Sequence, residues 1–257
     1  MVEHIVRFRD GDGAERVGRL LGGVIEEWDG AWPGTSASGR TFALSAVRLL
    51  APCSPSKIIG IGSNYRAHAT EMGKPVPTVP KVFLKAPTTL VGPGEFIEIP
   101  PETQRVDHEA ELGVVIGRRC SRVSAEHALE YVLGYTVVND VTARDFQKAD
   151  GLFARAKGFD SFCPTGPSVA VGLDPSDLRV SAAVNGVIRQ DGRTSDMVFD
   201  VAELIAFISR IMTLLPGDLI ATGTPAGVGP LVAGDRVDVS VEGIGTLSNP
   251  VRNREDR

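Results

Sequence analysis

The sequence has no run of basic residues, no apolar stretch near the roughly 18 residues a membrane span needs, and only three cysteines in 257 positions. Each absence removes a class of function. Lys and Arg number 27 against 32 Asp and Glu, a net charge of −5, so the chain offers no electrostatic footprint for nucleic acid. Cys53, Cys120 and Cys163 are scattered and odd in number, with no C-x-x-C pair. That pattern points to free thiols in a reducing compartment. The first nine residues alternate as a strand does and carry no apolar signal-peptide core; the expectation is a soluble, cytoplasmic protein with no membrane partner. There is no internal repeat. The glycine-rich segment 223–229 lacks the Gly-Lys-Ser/Thr ending and the following helix of a phosphate loop.

What is present suits a folded, turn-rich protein. Apolar residues make up 42% of the chain, enough to bury a core, and 29 glycines with 17 prolines suggest many turns between short strands. Residues 1–55 read as a small N-terminal β-rich domain, with strands over 4–9, 16–21 and 24–28, a loop over 33–39, and a boundary near Pro52-Cys53-Ser54-Pro55. Residues 56–257 read as a second, larger domain. Strands are predicted over 57–62, 81–85, 112–116, 134–138, 218–222, 236–241 and 245–251. Asn185-Gly186 between two apolar runs predicts a type I′ hairpin. Ser124 is expected to cap a helix running to Gly134, and a short helix starts near Thr142 and stops near Gly151. Asp200 and Glu203 predict a capping box opening a helix with Val201, Leu204, Ile205, Ile208, Ile211, Met212 and Leu215 on one face and Pro216-Gly217 as its stop. The run 156–167 reads as irregular, too rich in Gly and Pro for a regular element.

The centre of the chain is the stretch 105–117. Glu109 and Glu111 stand two apart at the start of an apolar, β-branched run, and residues i and i+2 of a strand share a face. Two carboxylates side by side repel unless a cation or proton joins them. Taken alone, the pair also suits a solvated strand end. Asp140, delivered by the end of strand 134–138, is placed to complete a metal site, although it could equally begin a turn. His68 and Glu71 are three apart, neighbours on a helical turn. A carboxylate beside an imidazole orients it as an assisted general base, while an exposed turn would carry the same pair. The Gly73 and proline-rich loop that follows suggests a mobile lid. Lys157 is the one basic side chain of the 156–167 run, and a surface lysine is the plain alternative.

Five of these stretches, in order, resemble the fumarylacetoacetate hydrolase family: Gly62-Ser63-Asn64-Tyr65-Arg66-Ala67-His68, Glu109-Ala110-Glu111-Leu112, Asn139-Asp140-Val141-Thr142-Ala143-Arg144-Asp145, the segment Lys157 to Pro164, and Thr222 to Gly229. The resemblance spans about residues 57–251, with Ser63 standing where many members carry a larger apolar residue. It implies a β-rich α+β fold, a mixed β-roll wrapped around the active site, assembled as a homodimer. It further implies that Glu109, Glu111 and Asp140 hold Mg²⁺ or Mn²⁺, that His68 and Glu71 form a lid dyad with Lys157 as active-site lysine, and that Arg144, Gln147 and Thr224 contact substrate. Hard carboxylate oxygens suit such a hard cation, and no His/Cys cluster favours zinc. The implied activity is hydrolysis of acylpyruvate-type 2-oxo acids, or decarboxylation of oxaloacetate-type ones, through a metal-stabilised enolate. The alternatives are an isomerase of 2-hydroxyhepta-2,4-diene-1,7-dioate or 5-carboxymethyl-2-hydroxymuconate type in aromatic catabolism, and a non-catalytic metal-binding scaffold.

Overall fold

The computed structural model describes residues 2–30 and 32–255. Its largest element is a mixed sheet of twelve strands. From one edge, the strands run Ser36–Ala43, Val24–Asp29, Glu15–Leu21, Glu3–Arg9, Cys163–Val171, Val132–Asn139, Ala110–Ile116, Leu219–Ala221, Ile58–Gly62 and Lys81–Lys85, with Arg48–Leu50 and Leu90–Val91 pairing off this path. The N-terminal meander therefore extends the main sheet through the antiparallel pairing of Glu3–Ile5 with Val169–Val171. It keeps a small core of its own around Val6, Phe8 and Ile25.

A five-stranded sheet, Val187–Arg193, Arg179–Val184, Arg236–Val241, Gly245–Asn253 and Ile97–Ile99, packs over the middle of the large one. The main core joins Leu112, Val114 and Ile116 with Val180, Val239 and Leu247. The other face of the same central strand carries Val115 into a second cluster with Val138 and Leu219. Every residue of Ala110–Ile116 is buried, as expected of a strand covered on both sides. The roll is closed by a three-stranded sheet of Val106–His108, Thr142–Ala143 and Gly229–Leu231.

Several expectations stand in the structure. Asn185 and Gly186 adopt φ 52° and 80° in the hairpin turn, where a type I′ geometry needs positive φ at both positions. Asp200 and Glu203 form a reciprocal capping box on helix Val201–Ile211. Gly151, at φ 65°, ends helix Arg144–Asp150. All three cysteines are free and buried. Among the described residues, no helix is long and apolar enough to cross a membrane.

Others need correction. The helix after Ser124 ends at Ala128, followed by a 3-10 turn over Leu129–Tyr131. Val132, Leu133 and Gly134 instead begin the next strand, where ladder bonds and burial outweigh helical continuation. The 33–39 loop gives way at Ser36 to a mostly exposed edge strand paired with Val24–Asp29. The run 156–167 is largely regular, with helix Ala154–Lys157 and strand Cys163–Val171. Helix Val201–Ile211 stops before Pro216 because Met212 turns extended. Ile211 and Leu215 accordingly lie exposed at 57% and 38% rather than on the buried face.

Candidate active site

Strand register assembles the acidic centre. Ala110 pairs with Asn139 and Glu111 with Val138, so the next antiparallel step sets Asp140 opposite Glu109. The Asp140 N–H donates to the Glu109 carbonyl at 2.9 Å, and the Asn139 Oδ1 accepts from the Glu109 N–H at 3.0 Å. One carboxylate oxygen from each of Glu109, Glu111 and Asp140 lies within 4.8 Å of the other two. All three residues are at least 95% buried.

Two lysines reach into this centre. Lys157, at the end of its short helix, is 3% exposed and donates to Glu109 at 2.8 Å and to Asp140; it is no surface lysine. Lys85, which carries no signal of its own in the sequence, donates to Asp140 at 2.5 Å and to the Phe162 carbonyl at 2.8 Å. Arg144 divides its guanidinium between Glu109 at 2.6 Å and the buried Asp107 at 2.8 Å, and donates to Gln147 at 2.9 Å. Glu111 differs from its neighbours. Its hydrogen bond comes from the Gly223 N–H at 2.8 Å, and among the described residues no cationic side chain forms an ion pair with it.

The electrostatics follow from this asymmetry. Burial, then the charges of Asp140 and Glu109, push the Glu111 carboxyl well above its ordinary value. Burial acts the same way on Glu109, but Lys157, Arg144 and His68 overcome it and hold that carboxyl well below the ordinary range. Burial would lower the Lys157 ammonium, yet Asp140, Glu109 and Glu111 hold it above its usual value. Three converging carboxylates, one of them without a cationic partner, form a donor set that fits a hard divalent cation keeping open positions for substrate or water.

The dyad faces this centre across a narrow cleft. His68 and Glu71 lie on helix Arg66–Glu71, with His68 Nδ1 3.0 Å from Glu71 Oε2. The carboxylate only accepts, so Nδ1 carries a hydrogen and Nε2 is the ring nitrogen left free of that bond. The other Glu71 oxygen accepts from the Gly227 N–H at 2.9 Å, docking the helix on the glycine-rich loop. His68, Lys157, Glu111, Arg144, Gln147 and Thr224 all line this cleft, which holds about 30 Å³ of free volume. Met72, Lys74, Arg144 and Gln147 also line an outer vestibule of about 590 Å³. Phe83 and Phe153, with ring centroids 4.9 Å apart, form one wall, and the Lys157 ammonium sits 5.0 Å from the Phe83 centroid.

The structure thus brings all nine residues singled out in the sequence to one place. It adds Lys85, Asp107, Gln190 and His108 around them. Asp107 has a signal, since it continues the alternation of Glu109 and Glu111. Lys85 ends an ordinary short strand, and Gln190 sits in a hairpin where polar residues usually face water, so neither announces itself.

The chain is similar to known proteins along most of its length. Residues 57–252 match the family described as fumarylacetoacetate (FAA) hydrolase C-terminal, and residues 3–52 match Rv2993c-like, N-terminal. The chain is 45% identical over 242 residues to oxaloacetate tautomerase YisK of Bacillus subtilis, covering 88% of this chain and 80% of that protein. It superposes on 2-hydroxyhepta-2,4-diene-1,7-dioate isomerase of Mycobacterium marinum with a TM-score of 0.92 at 44% identity, over 99% of this chain and all of that one. A maleylpyruvate hydrolase of Sphingobium sp. SYK-6, solved with manganese(II) and pyruvate, aligns at a TM-score of 0.82 and 31% identity, over 98% of this chain and all of that one.

Proposed function

The chain belongs to the fumarylacetoacetate hydrolase family, and on that premise we propose that it is a divalent-cation-dependent enzyme of small 2-oxo acids that moves a proton between the keto and enol forms of an oxaloacetate-type substrate. The observation that carries this reading is the opposition of two machines in one cleft: three carboxylates able to hold a cation, and an imidazole whose free Nε2 is set by Glu71. Mg²⁺ or Mn²⁺ held by Glu109, Glu111 and Asp140 would supply Lewis acidity that stabilises negative charge on the substrate's keto oxygen.

The remaining work falls to the chain's own groups. His68 Nε2 takes a proton from the carbon beside the keto group and passes it to the keto oxygen to give the enol. Ketonisation runs the same transfer backwards, from the enol oxygen to that carbon, with Glu71 stabilising the imidazolium in between. Lys157 offers positive charge where the oxyanion develops. Arg144, Gln147 and Thr224 orient the substrate. Tautomerase and isomerase, as relatives' names, share this one act of moving a proton along a carbonyl-conjugated chain.

A second reading, hydrolysis of an acylpyruvate, draws support from the maleylpyruvate hydrolase neighbour with manganese(II) and pyruvate. Here the same dyad would activate water. Decarboxylation needs no nucleophile and would depend on the dyad least. The experiment is a spectrophotometric panel of oxaloacetate enol, an acylpyruvate and the dienedioate, each with Mg²⁺ or Mn²⁺, using wild type and Glu71→Ala. Faster decay of the oxaloacetate enol, lost in Glu71→Ala, is the expected result. Cleavage of the acylpyruvate with no effect on the enol would give the second reading precedence. No turnover of any of the three would leave the scaffold reading in its place.

The homodimer implied by the resemblance belongs to this proposal, and a monomer in sedimentation equilibrium would remove it. So does the division into a 1–55 unit and a catalytic unit from residue 56 onward, which supplies every residue named in the cleft.

A further inference from the structure

Gln190 comes from the five-stranded sheet, from strand Val187–Arg193, and not from any of the elements that carry the acidic centre. Its side chain is completely buried. Its Oε1 accepts from the Ala110 N–H at 2.9 Å and lies 3.0 Å from His108 Nδ1. Its Nε2 donates to Thr224 Oγ1 at 2.7 Å and to the Pro225 carbonyl at 2.8 Å. A backbone N–H can only donate and a carbonyl can only accept, so Ala110 and Pro225 together fix which end of the amide is which. His108 must then carry its hydrogen on Nδ1. The Thr224 hydroxyl, which accepts from Gln190, gives its own hydrogen to the Ala110 carbonyl at 2.9 Å.

Ala110 is the residue between Glu109 and Glu111, and Thr224 belongs to the glycine-rich loop and lines the same cleft. The loop presses directly on the Gln190 strand. A Cβ on Gly227 would overlap the Arg189 carbonyl oxygen, and one on Gly192 would stand 2.6 Å from Pro225 Cβ. We propose that Gln190 is a positioning residue with two separable halves: its carbonyl end sets the backbone that aims Glu109 and Glu111, and its amino end sets the Thr224–Pro225 segment that meets substrate. The proposal rests on the cation site and the 2-oxo acid reading above, and it extends them to a residue that touches neither ligand.

The two halves can be separated by substitution. The change Gln190→Glu keeps an acceptor for the Ala110 N–H but leaves no amino group for Thr224 and Pro225; Gln190→Leu keeps neither. With Mn²⁺ alone as probe, followed by calorimetry or the electron paramagnetic resonance of the free ion, Gln190→Leu is expected to lose roughly ten- to hundredfold in affinity, the usual consequence of removing a group that orients metal ligands. Gln190→Glu is expected to bind Mn²⁺ at least as tightly as wild type while its KM for the 2-oxo acid rises. Thermal melts and far-ultraviolet circular dichroism establish that each variant is folded. An unfolded leucine variant is replaced by Gln190→Met with the same expectation, and failure of Gln190→Glu alone to fold would overturn the separation into two halves. A purely structural role would move both readouts together. Equal losses of Mn²⁺ affinity in the glutamate and leucine variants, or no loss in either, would overturn the role of Gln190 alone. Failure of wild type to bind Mn²⁺ would overturn the cation site and this inference with it.

Discussion

Glu27 and Glu111 are both carboxylates sealed from water, 4% and 1% exposed, and the chain treats them in opposite ways. Glu27, on the N-terminal meander, accepts from Arg16 at 2.8 Å, Arg40 at 2.7 Å and Ser38 at 2.6 Å. Burial alone would raise its carboxyl, but these three donors hold it below its ordinary value. Glu111 has two other carboxylates for neighbours and one backbone N–H for a partner. A buried charge that is fully paired is part of the architecture, and removing one partner leaves the rest uncompensated. A buried carboxyl without a cationic partner is pushed toward its protonated form, and groups perturbed in this way cluster at binding and catalytic sites. The contrast separates a closed ion cluster from an open donor set by geometry alone.

The strongest test of that separation replaces each glutamate in turn. Glu111→Ala should take turnover and cation binding to background while the fold persists, because its neighbours are relieved of repulsion. Glu27→Ala should leave kcat and KM unchanged and lower stability by about 1–3 kcal/mol, the range for stranding partly buried partners, read from the denaturant midpoint. Activity lost with Glu27, or full turnover after chelation without added metal, would erase the distinction. A second, smaller effect isolates the dyad from the triad. His68→Ala should lower kcat by roughly 10²–10⁴, the usual range for a general base, with Mn²⁺ affinity unchanged. Metal lost along with His68 would make it a ligand instead.

The smallest effect is in pH. Because the Glu111 carboxyl is raised, it holds its proton above the ordinary carboxylate range in the cation-free protein, and a cation must displace that proton. Mn²⁺ affinity should therefore rise with pH above that range and level off once Glu111 is ionised, with proton release on binding measurable by calorimetry in buffers of different ionisation heat. Glu27 has the opposite sign. Its lowered carboxyl contributes stability that is present above the unfolded value and is lost only as pH falls through the lower folded one. The difference in stability between wild type and Glu27→Ala should thus be flat from neutral pH down to the ordinary carboxylate range. Cation affinity that ignores pH would place the shared proton elsewhere.

Patterns that depend on local spacing are legible in the sequence. The two-residue step of Glu109 and Glu111, the strand end at Asp140, the His68–Glu71 turn and the Asn185-Gly186 hairpin each follow from one element's own periodicity. Packing between elements is not legible in this way. Lys85 and Gln190 matter through what the roll brings to them from far along the chain, Asp140 at 2.5 Å and Thr224 at 2.7 Å. The same limit explains the over-long helix expected after Ser124. Its residues 125–131 have ordinary helical character, but Val132 is claimed by a ladder partner, Ile116, that no local pattern reveals. Leu215 departs from its expected face for a related reason, since Met212 leaves the helix and takes the apolar phase with it.

Glu71 gives its two oxygens to different partners, one to His68 and one to the Gly227 N–H. The His68 ring and the glycine-rich loop are thereby joined through a single carboxylate. A shift of the loop backbone at Gly227 reaches the imidazole with one side chain in between.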